Sequence, residues 1–391
     1  MTILLPNHDV DMSLVTDERA DDVLAFHRRL PGYRPTAVVS LPALASATGV
    51  EEIWIKDESD RFGLPAFKML GASWASYRVL AERLGGSPEP WTTIDELAEK
   101  LAPLRPVTLA TATDGNHGRA VARFARWLGL HSYVLVPAGT ATARIAAIES
   151  EGAVVDVVDG TYDDAVAEAA ALAGDRILVV SDTAWPGYER VPGWVIEGYS
   201  TIFHELDAQL EAAGAGAPDL VVVQIGVGAL AAATVRHYRR PGLGRRPLLL
   251  GVEPESAACA LASARAGELT TVPGPHDSIM AGLNCGTPSS IAWPILRSGI
   301  DVFVAIDDDR ACDGMRALAD AGLVSGETGA AGAGAILDLL TGKNARDRRD
   351  WLGLDGTSRV VLLSTEGATD PENYARIVGT LPAEVSAPPS A

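Results

Sequence analysis

The sequence predicts an α/β protein of two lobes, each a mostly parallel sheet flanked by helices. Three observations carry the prediction. The chain has 391 residues, about twice the usual length of one domain. Short β-branched runs alternate with longer Ala-rich stretches of helical period, the pattern of strands and helices taking turns around a parallel sheet. Hydrophobic residues make up 47% and charged residues 21%, which allows large buried cores. Two lobes imply a cleft between them, a common place for a small-molecule site.

In chain order, strands are expected at 52–56, 107–112, 132–137, 154–158, 177–180, 220–224, 248–252 and 360–363, where β-branched residues cluster. Helices are expected at 118–128, 163–173, 195–213 and 229–239, and a helical run follows Lys68 through residue 84. The first thirty or so residues read as an arm. Residues 85–106 carry two prolines near each end around a short amphipathic stretch and read as an insertion. Residues 382–391, rich in Pro, Ser and Ala, read as a loose tail.

The formal charge of −19 disfavours nucleic acid and anionic lipid as partners. Nowhere do 18 uncharged apolar residues follow one another, and the N-terminus lacks a basic segment followed by an apolar run, so a cytoplasmic protein is expected. Three cysteines, Cys259, Cys285 and Cys312, are too few and too far apart for a disulfide scaffold or a paired-cysteine zinc site. Compartment argues for free thiols. Asp307, Asp308 and Asp309 read as a solvated helix N-terminus in preference to a metal site, and no metal is expected.

Lys68 stands among Phe67, Met69 and Leu70. Desolvation there lowers an amine pKa and leaves a nucleophile able to form a Schiff base; the alternative is a lysine whose head reaches solvent at a helix start. A strand runs into Thr111-Ala112-Thr113-Asp114-Gly115-Asn116-His117-Gly118. Asn116 can hydrogen-bond a cofactor ring and Asp114 can act as a base, or either can cap the helix that follows; His117 reads as structural. Gly226, Val227, Gly228, Ala229 and Leu230 follow an apolar strand and open a helix, where backbone N–H groups can cradle a phosphate. The same run matches a dinucleotide fingerprint, with Glu253 where a ribose partner would sit. Asp182, just past a strand, lies at an end that faces ligands in open α/β sheets, or else forms a turn.

Taken together, the stretches Lys56-Asp57-Glu58-Ser59, Arg61-Phe62-Gly63-Leu64, Ala66-Phe67-Lys68, Thr111 through Gly118, Asp182-Thr183-Ala184-Trp185 and Ile279-Met280-Ala281-Gly282-Leu283 resemble the fold-type II enzymes dependent on pyridoxal 5'-phosphate, the tryptophan synthase beta-like fold. The wording is most similar to that of the diaminopropionate ammonia-lyases, over about 33–374. The resemblance implies that Lys68 carries the cofactor, Asn116 meets the pyridine 3-oxygen, Gly226 to Leu230 hold the phosphate, and Ser364 or Thr365 faces the ring nitrogen. It implies that Asp114 and Asp182 serve opposite faces of the substrate, the first mainly for the D-isomer and the second for the L-isomer. It also places Cys259 and Cys285 on a pair that can be bridged in the family, and suggests a homodimer. The expected division is a large cofactor-binding domain of 1–106 and 200–391, including an arm 1–34 and the insertion 85–106, and a small domain of 107–199. Pro65 and Pro186 depart from the family wording near the substrate, where a fixed φ reshapes a loop.

The reaction implied is elimination of ammonia from 2,3-diaminopropionate, giving pyruvate and two ammonia. A serine or threonine dehydratase of the same fold is the nearest alternative, but it has less need of two carboxylate bases. An NAD-dependent oxidoreductase leaves Lys68, Asn116 and Asp182 without roles, and a non-catalytic cofactor-binding protein does the same for the aspartates.

Overall fold

The computed structural model describes residues 2–10, 20–113 and 115–385, so Asp114 and the last residues of the expected tail lie outside the described residues. Eleven strands are present among them: β1 (Ile3–Pro6), β2 (Val38–Ser40), β3 (Glu52–Asp57), β4 (Thr108–Ala112), β5 (His131–Pro137), β6 (Val154–Val158), β7 (Ile177–Val179), β8 (Leu220–Gln224), β9 (Leu248–Pro254), β10 (Val302–Ile306) and β11 (Arg359–Ser364). They form two separate sheets, one in each of two compact units.

One unit comprises the segments Met1–Asp17, Pro35–Asp60 and Ile202–Ala391. Its seven strands run in the order β1-β10-β9-β8-β11-β3-β2. The five inner strands are parallel, and β1 and β2 close the edges antiparallel. Parallel strands buried on both faces read as continuous apolar runs; β8 and β10 are buried at every position. The core gathers Ile53, Ile55, Val222, Leu250, Val304 and Leu362 from the sheet, with Ala330, Ala331 and Ile336 from the helix Glu327–Leu340. That helix is rich in Gly and Ala because it approaches the helix Asp308–Asp320 closely. A methyl group built on Gly314 would stand 2.4 Å from the Ala330 carbonyl oxygen.

The other unit comprises Glu18–Arg34 and Arg61–Thr201. Its four strands are all parallel, in the order β6-β5-β4-β7. The helix Met69–Leu84 packs on the helices Asn116–Trp127 and Arg190–Gly198. Gly71 and Gly198 make the second contact possible: a methyl group on Gly198 would lie 2.6 Å from the Leu70 carbonyl oxygen, and one on Gly71 would lie 2.6 Å from the Tyr199 ring.

The expected division differs here, since 61–106 packs with the smaller sheet and not with the larger one. The reason is the buried face of Met69–Leu84, which seats on helices of that unit. The insertion 85–106 carries a helix, Ile94–Lys100, with a reciprocal Thr93–Glu96 cap and Leu97 in the interior. The expected arm is ordered where described. Ile3–Pro6 is an edge strand, and Ala20–Arg28 is a helix that buries Val23, Phe26 and His27. The single helix expected at 195–213 is two, Arg190–Gly198 and Ser200–Ala212, parted at Tyr199.

Candidate active site

Both sheets present chemistry at the carboxyl ends of their strands, where open α/β sheets bind ligands. In the unit containing β4 and β7, Lys68 is the residue at which the helix Met69–Leu84 begins. Phe67, Met69 and Leu70 beside it are buried, while the Lys68 side chain is 18% exposed. Its Nζ donates to Asp182 Oδ2 at 2.7 Å. The Tyr199 ring packs on Phe67 with centroids 4.7 Å apart. Burial pushes the Tyr199 phenol well above its usual range despite the Lys68 charge nearby, so it stays protonated.

Asp182 lies just beyond β7, in the interior. Tyr162 donates from its hydroxyl to Asp182 Oδ1 at 3.1 Å. Burial alone would raise this carboxyl, but the Lys68 charge, His117 and the hydrogen bonds from Lys68 and Tyr162 outweigh it and hold Asp182 well below the usual carboxylate range. Asp182 is therefore ionised and paired, and is more than a turn residue. The Trp185-Pro186-Gly187-Tyr188 turn follows, closed by Tyr188 N–H to the Trp185 carbonyl at 2.8 Å with Gly187 at φ 87°. Pro186 sits where a turn with positive φ at its third residue favours proline, so this departure is absorbed by the turn. The Tyr188 hydroxyl donates to the Val179 carbonyl at 2.7 Å and accepts from Ser181 N–H at 3.0 Å, tying the turn to β7 beside Asp182.

The loop after β4 enters the helix Asn116–Trp127 through Gly115, at φ 150°. Asn116 is the first residue inside the helix and is not its cap. Gly115 stands at the cap position, and Thr113 just before it steadies the helix start: its Oγ1 accepts the N–H groups of Gly115 at 2.9 Å and Gly118 at 3.1 Å. Gly118 must lack a side chain, because a methyl group there would stand 2.4 Å from Thr113 Cγ2. His117 donates from Nε2 to the Val180 carbonyl at 2.8 Å, linking this loop to the strand that leads to Asp182. His117 thus adds to Asp182's electrostatics as well as to the structure.

In the other unit, the turn after β8 carries Gly226, Val227, Gly228, Ala229 and Leu230. Gly228 has φ +97° and precedes the helix Ala229–Tyr238, whose first N–H groups have no preceding turn to bond to. A methyl group on Gly226 would lie 2.8 Å from the Gly282 carbonyl oxygen and 3.4 Å from Cys285 Sγ. The Ile279–Leu283 motif therefore walls this turn. At the end of β11, Ser364 donates to Ser325 Oγ at 2.8 Å and lies by Asp57, whose carboxyl is raised by burial against hydrogen bonds from Ser59. Thr365 is buried, and its hydroxyl has no hydrogen-bond partner among the described residues. A buried hydroxyl left unsatisfied costs about 1–3 kcal/mol, so an external partner fits there.

These features suit pyridoxal phosphate: an amine held by a carboxylate, a glycine turn with room only for backbone, and an orphaned hydroxyl after a strand. They do not suit NAD. Glu253 is fully buried and accepts the N–H groups of Ala260 at 2.7 Å and Leu261 at 2.8 Å, which ties it to the helix Cys259–Ala266 and away from any ribose. Burial pushes its carboxyl up to about 8. Cys259 and Cys285 are buried and form no disulfide, and the Cys259 thiol is raised by burial and by Glu253 and Cys285 beside it. Asp307 caps the helix Asp308–Asp320 by accepting Arg310 N–H, as expected of a helix start. No helix among the described residues is long and apolar enough to cross a membrane.

The sequence did not single out Tyr162, Thr113, Tyr188, Tyr199 or Ser325. The Thr161–Asp164 capping pair marks the helix that Tyr162 opens, but no local pattern says that its hydroxyl meets a residue twenty positions on.

Comparison with known proteins agrees with this chemistry. A family model described as pyridoxal-phosphate dependent enzyme matches residues 29–365. The diaminopropionate ammonia-lyase of Salmonella typhimurium is 38% identical over 94% of this chain and 93% of its own. The crystal structure of the Escherichia coli diaminopropionate ammonia lyase in complex with an aminoacrylate–PLP azomethine reaction intermediate matches with a TM-score of 0.87 at 34% identity, covering 97% of each chain. The same enzyme in complex with D-serine matches with a TM-score of 0.89, also at 34% identity and 97% of each chain. The fold is that of the fold-type II pyridoxal phosphate enzymes, and this chain belongs to that family and, within it, to the diaminopropionate ammonia-lyases.

Proposed function

We propose that this chain converts 2,3-diaminopropionate and water to pyruvate and two ammonia, with Lys68 holding the cofactor and Asp182 and Asp114 removing the α-proton of the L- and D-isomers. The carrying observation is the Lys68–Asp182 pair, an amine and a buried carboxylate 2.7 Å apart. Bound pyridoxal phosphate would supply an electron sink for the negative charge left on the substrate's α-carbon. Gly226, Val227, Gly228, Ala229 and Leu230 would hold its phosphate, Asn116 its 3-oxygen, and Thr365 its ring nitrogen. Ser364 is already engaged with Ser325, which favours Thr365 for that place.

With the Lys68 amine charged beside it, Asp182 is ionised and able to accept a proton. Its largest opposing influence is burial. When Lys68 moves from its carboxylate, that influence is no longer offset by the lysine charge and Asp182 becomes a stronger base. Lys68, free as an amine, can carry a proton toward the departing β-amino group, which leaves as ammonia. Aminoacrylate released into water hydrolyses to pyruvate and the second ammonia. We take the protein to act as a cytoplasmic homodimer, which sedimentation of the purified protein tests.

The experiment is an assay of pyruvate and ammonia from D- and L-2,3-diaminopropionate and from serine and threonine, with Lys68→Ala and Asp182→Asn alongside. Product from diaminopropionate that is lost in Lys68→Ala supports the reading. Turnover confined to the hydroxy amino acids would make the protein a dehydratase.

A further inference from the structure

β7 is an edge strand of the four-stranded sheet, so its outer side needs hydrogen-bond partners from somewhere other than a neighbouring strand. On the inner side, Val180 N–H donates to the Ala110 carbonyl at 2.8 Å, and the Val180 carbonyl accepts His117 Nε2 at 2.8 Å. On the outer side one hydroxyl serves two backbone groups: Tyr188 donates to the Val179 carbonyl at 2.7 Å and accepts Ser181 N–H at 3.0 Å. Val179, Val180 and Ser181 are thus pinned from both edges immediately before Asp182. Tyr188 is itself held. Its ring stacks on Trp185 with centroids 4.1 Å and planes 8° apart, and its N–H closes the turn onto the Trp185 carbonyl at 2.8 Å.

We propose that Tyr188 is a positioning residue for Asp182: its hydroxyl takes the place of a neighbouring strand at the end of β7 and so sets where the Asp182 carboxylate stands against Lys68. The inference rests on the reading that Asp182 exchanges a proton with the substrate. Asp182 is the first residue past the pinned backbone, so slack at Ser181 passes directly into the carboxylate. Its contact with Lys68 Nζ, 2.7 Å, is a hydrogen bond as well as an ion pair, and the hydrogen bond weakens steeply when its geometry is lost. The groups that face Asp182 are Lys68, His117 and Tyr162, with the phenols of Tyr188 and Tyr199 within reach of its charge. Burial holds the Tyr188 phenol above its usual range and therefore neutral. Its hydroxyl is spent on backbone, so Tyr188 acts on Asp182 through geometry and not through charge.

The test is Tyr188→Phe, which keeps the ring stack and removes the hydroxyl. In the holoenzyme acting on 2,3-diaminopropionate, kcat should fall roughly tenfold with KM within about twofold, the scale of half an ångström of misplacement when one ångström costs about a hundredfold. A second readout needs no turnover. In cofactor-free protein with 13C-labelled aspartate, the Asp182 carboxyl titrates below the usual carboxylate range because Lys68 stands beside it, and its midpoint should rise in Tyr188→Phe as the pair loosens. Thr48→Val is the control. It removes a buried hydroxyl bond of 2.8 Å to the Leu44 carbonyl in the other unit, and should lower the melting temperature while moving neither kcat nor the midpoint.

The proposal requires both changes. A Tyr188→Phe protein that melts lower but keeps either its kcat or its Asp182 midpoint would overturn it and leave Tyr188 a structural residue of the turn, and so would an equal midpoint shift in Thr48→Val. Full activity in Asp182→Asn would instead overturn the role given to Asp182, whatever Tyr188→Phe does to the midpoint. Should Tyr188→Phe fold poorly, Gly187→Ala decides. A methyl group there meets open space but is strained at φ 87°, which loosens the same turn. The midpoint should then rise by a smaller amount, and an unmoved midpoint would overturn the proposal.

Discussion

Replacing Gly226 by alanine should weaken cofactor binding without unfolding the protein. The added methyl carbon would stand 2.8 Å from the Gly282 carbonyl oxygen, 3.4 Å from Cys285 Sγ and 3.5 Å from Leu283 Cα. Two of those three neighbours are backbone, so relief requires the turn or the 279–283 wall to move by roughly half an ångström, which falls in the overpacking range of about 1–3 kcal/mol. If that displacement falls on the phosphate-holding turn, affinity for pyridoxal phosphate drops about 5- to 150-fold, at 1.4 kcal/mol per tenfold. The assay is titration of cofactor-free protein with pyridoxal phosphate, followed by tryptophan fluorescence and visible absorbance, with melting curves to confirm the fold. Gly86→Ala is the control, because a methyl group there meets open space. Cofactor affinity within twofold of wild type for Gly226→Ala would refute both the tight wall and the phosphate assignment.

Thr365→Val should leave the cofactor-free protein as stable as wild type or more so, since its hydroxyl has no partner among the described residues, yet change the absorbance of the bound cofactor. Ser364→Ala should cost about 1 kcal/mol in a denaturant melt through the lost Ser325 bond, with little spectral change; the reverse pattern would make Ser364 the ring partner. Lys56 donates to Thr36 O, Glu205 Oε2 and Gln209 Oε1 at 2.7–2.8 Å in a fully buried position. Lys56→Met should therefore cost about 3–5 kcal/mol by stranding the Glu205 carboxylate, and adding Glu205→Met should recover most of it. A double variant as unstable as the single would contradict the buried-charge account. Glu253 binds its proton more tightly when folded (about 8) than at its ordinary 4.5. Its contribution to stability is then complete below about pH 4.5 and is lost as pH rises through 8. Thermal melts across that window should show a downward slope that Glu253→Gln flattens, and an unchanged slope would mean that the two N–H donors keep the carboxyl ionised.

The alternation of apolar strands and Ala-rich helices made most of both parallel sheets legible, although β10, buried at every position, was not among the expected strands. A strand buried on both faces must be apolar throughout, and that pattern is local. Asn116, the turn at Gly226 to Leu230 and Asp182 could be singled out for a related reason: each follows such a strand within a few residues, where glycine and polar residues interrupt an apolar run, whereas Lys68, well beyond Asp57 at a helix start, stood out by its apolar neighbours and the motif wording. The edge strands Ile3–Pro6 and Val38–Ser40 were not, being short and half-buried and defined by a partner far away in sequence. Nor was the helix Glu327–Leu340, whose small residues make sense only against the helix it touches.

What the sequence by itself determined is the fold class and the family, because strand periodicity, glycine turns and motif wording are properties of neighbouring residues. Tertiary structure alone decided that residues 61–106 belong with the smaller sheet, that Thr113 and not Asn116 holds the helix start, that Glu253 is sealed away from any ligand, and that Tyr162 grips Asp182 opposite Lys68. Each of these depends on a distance between segments separated along the chain, and such distances are set by packing and burial.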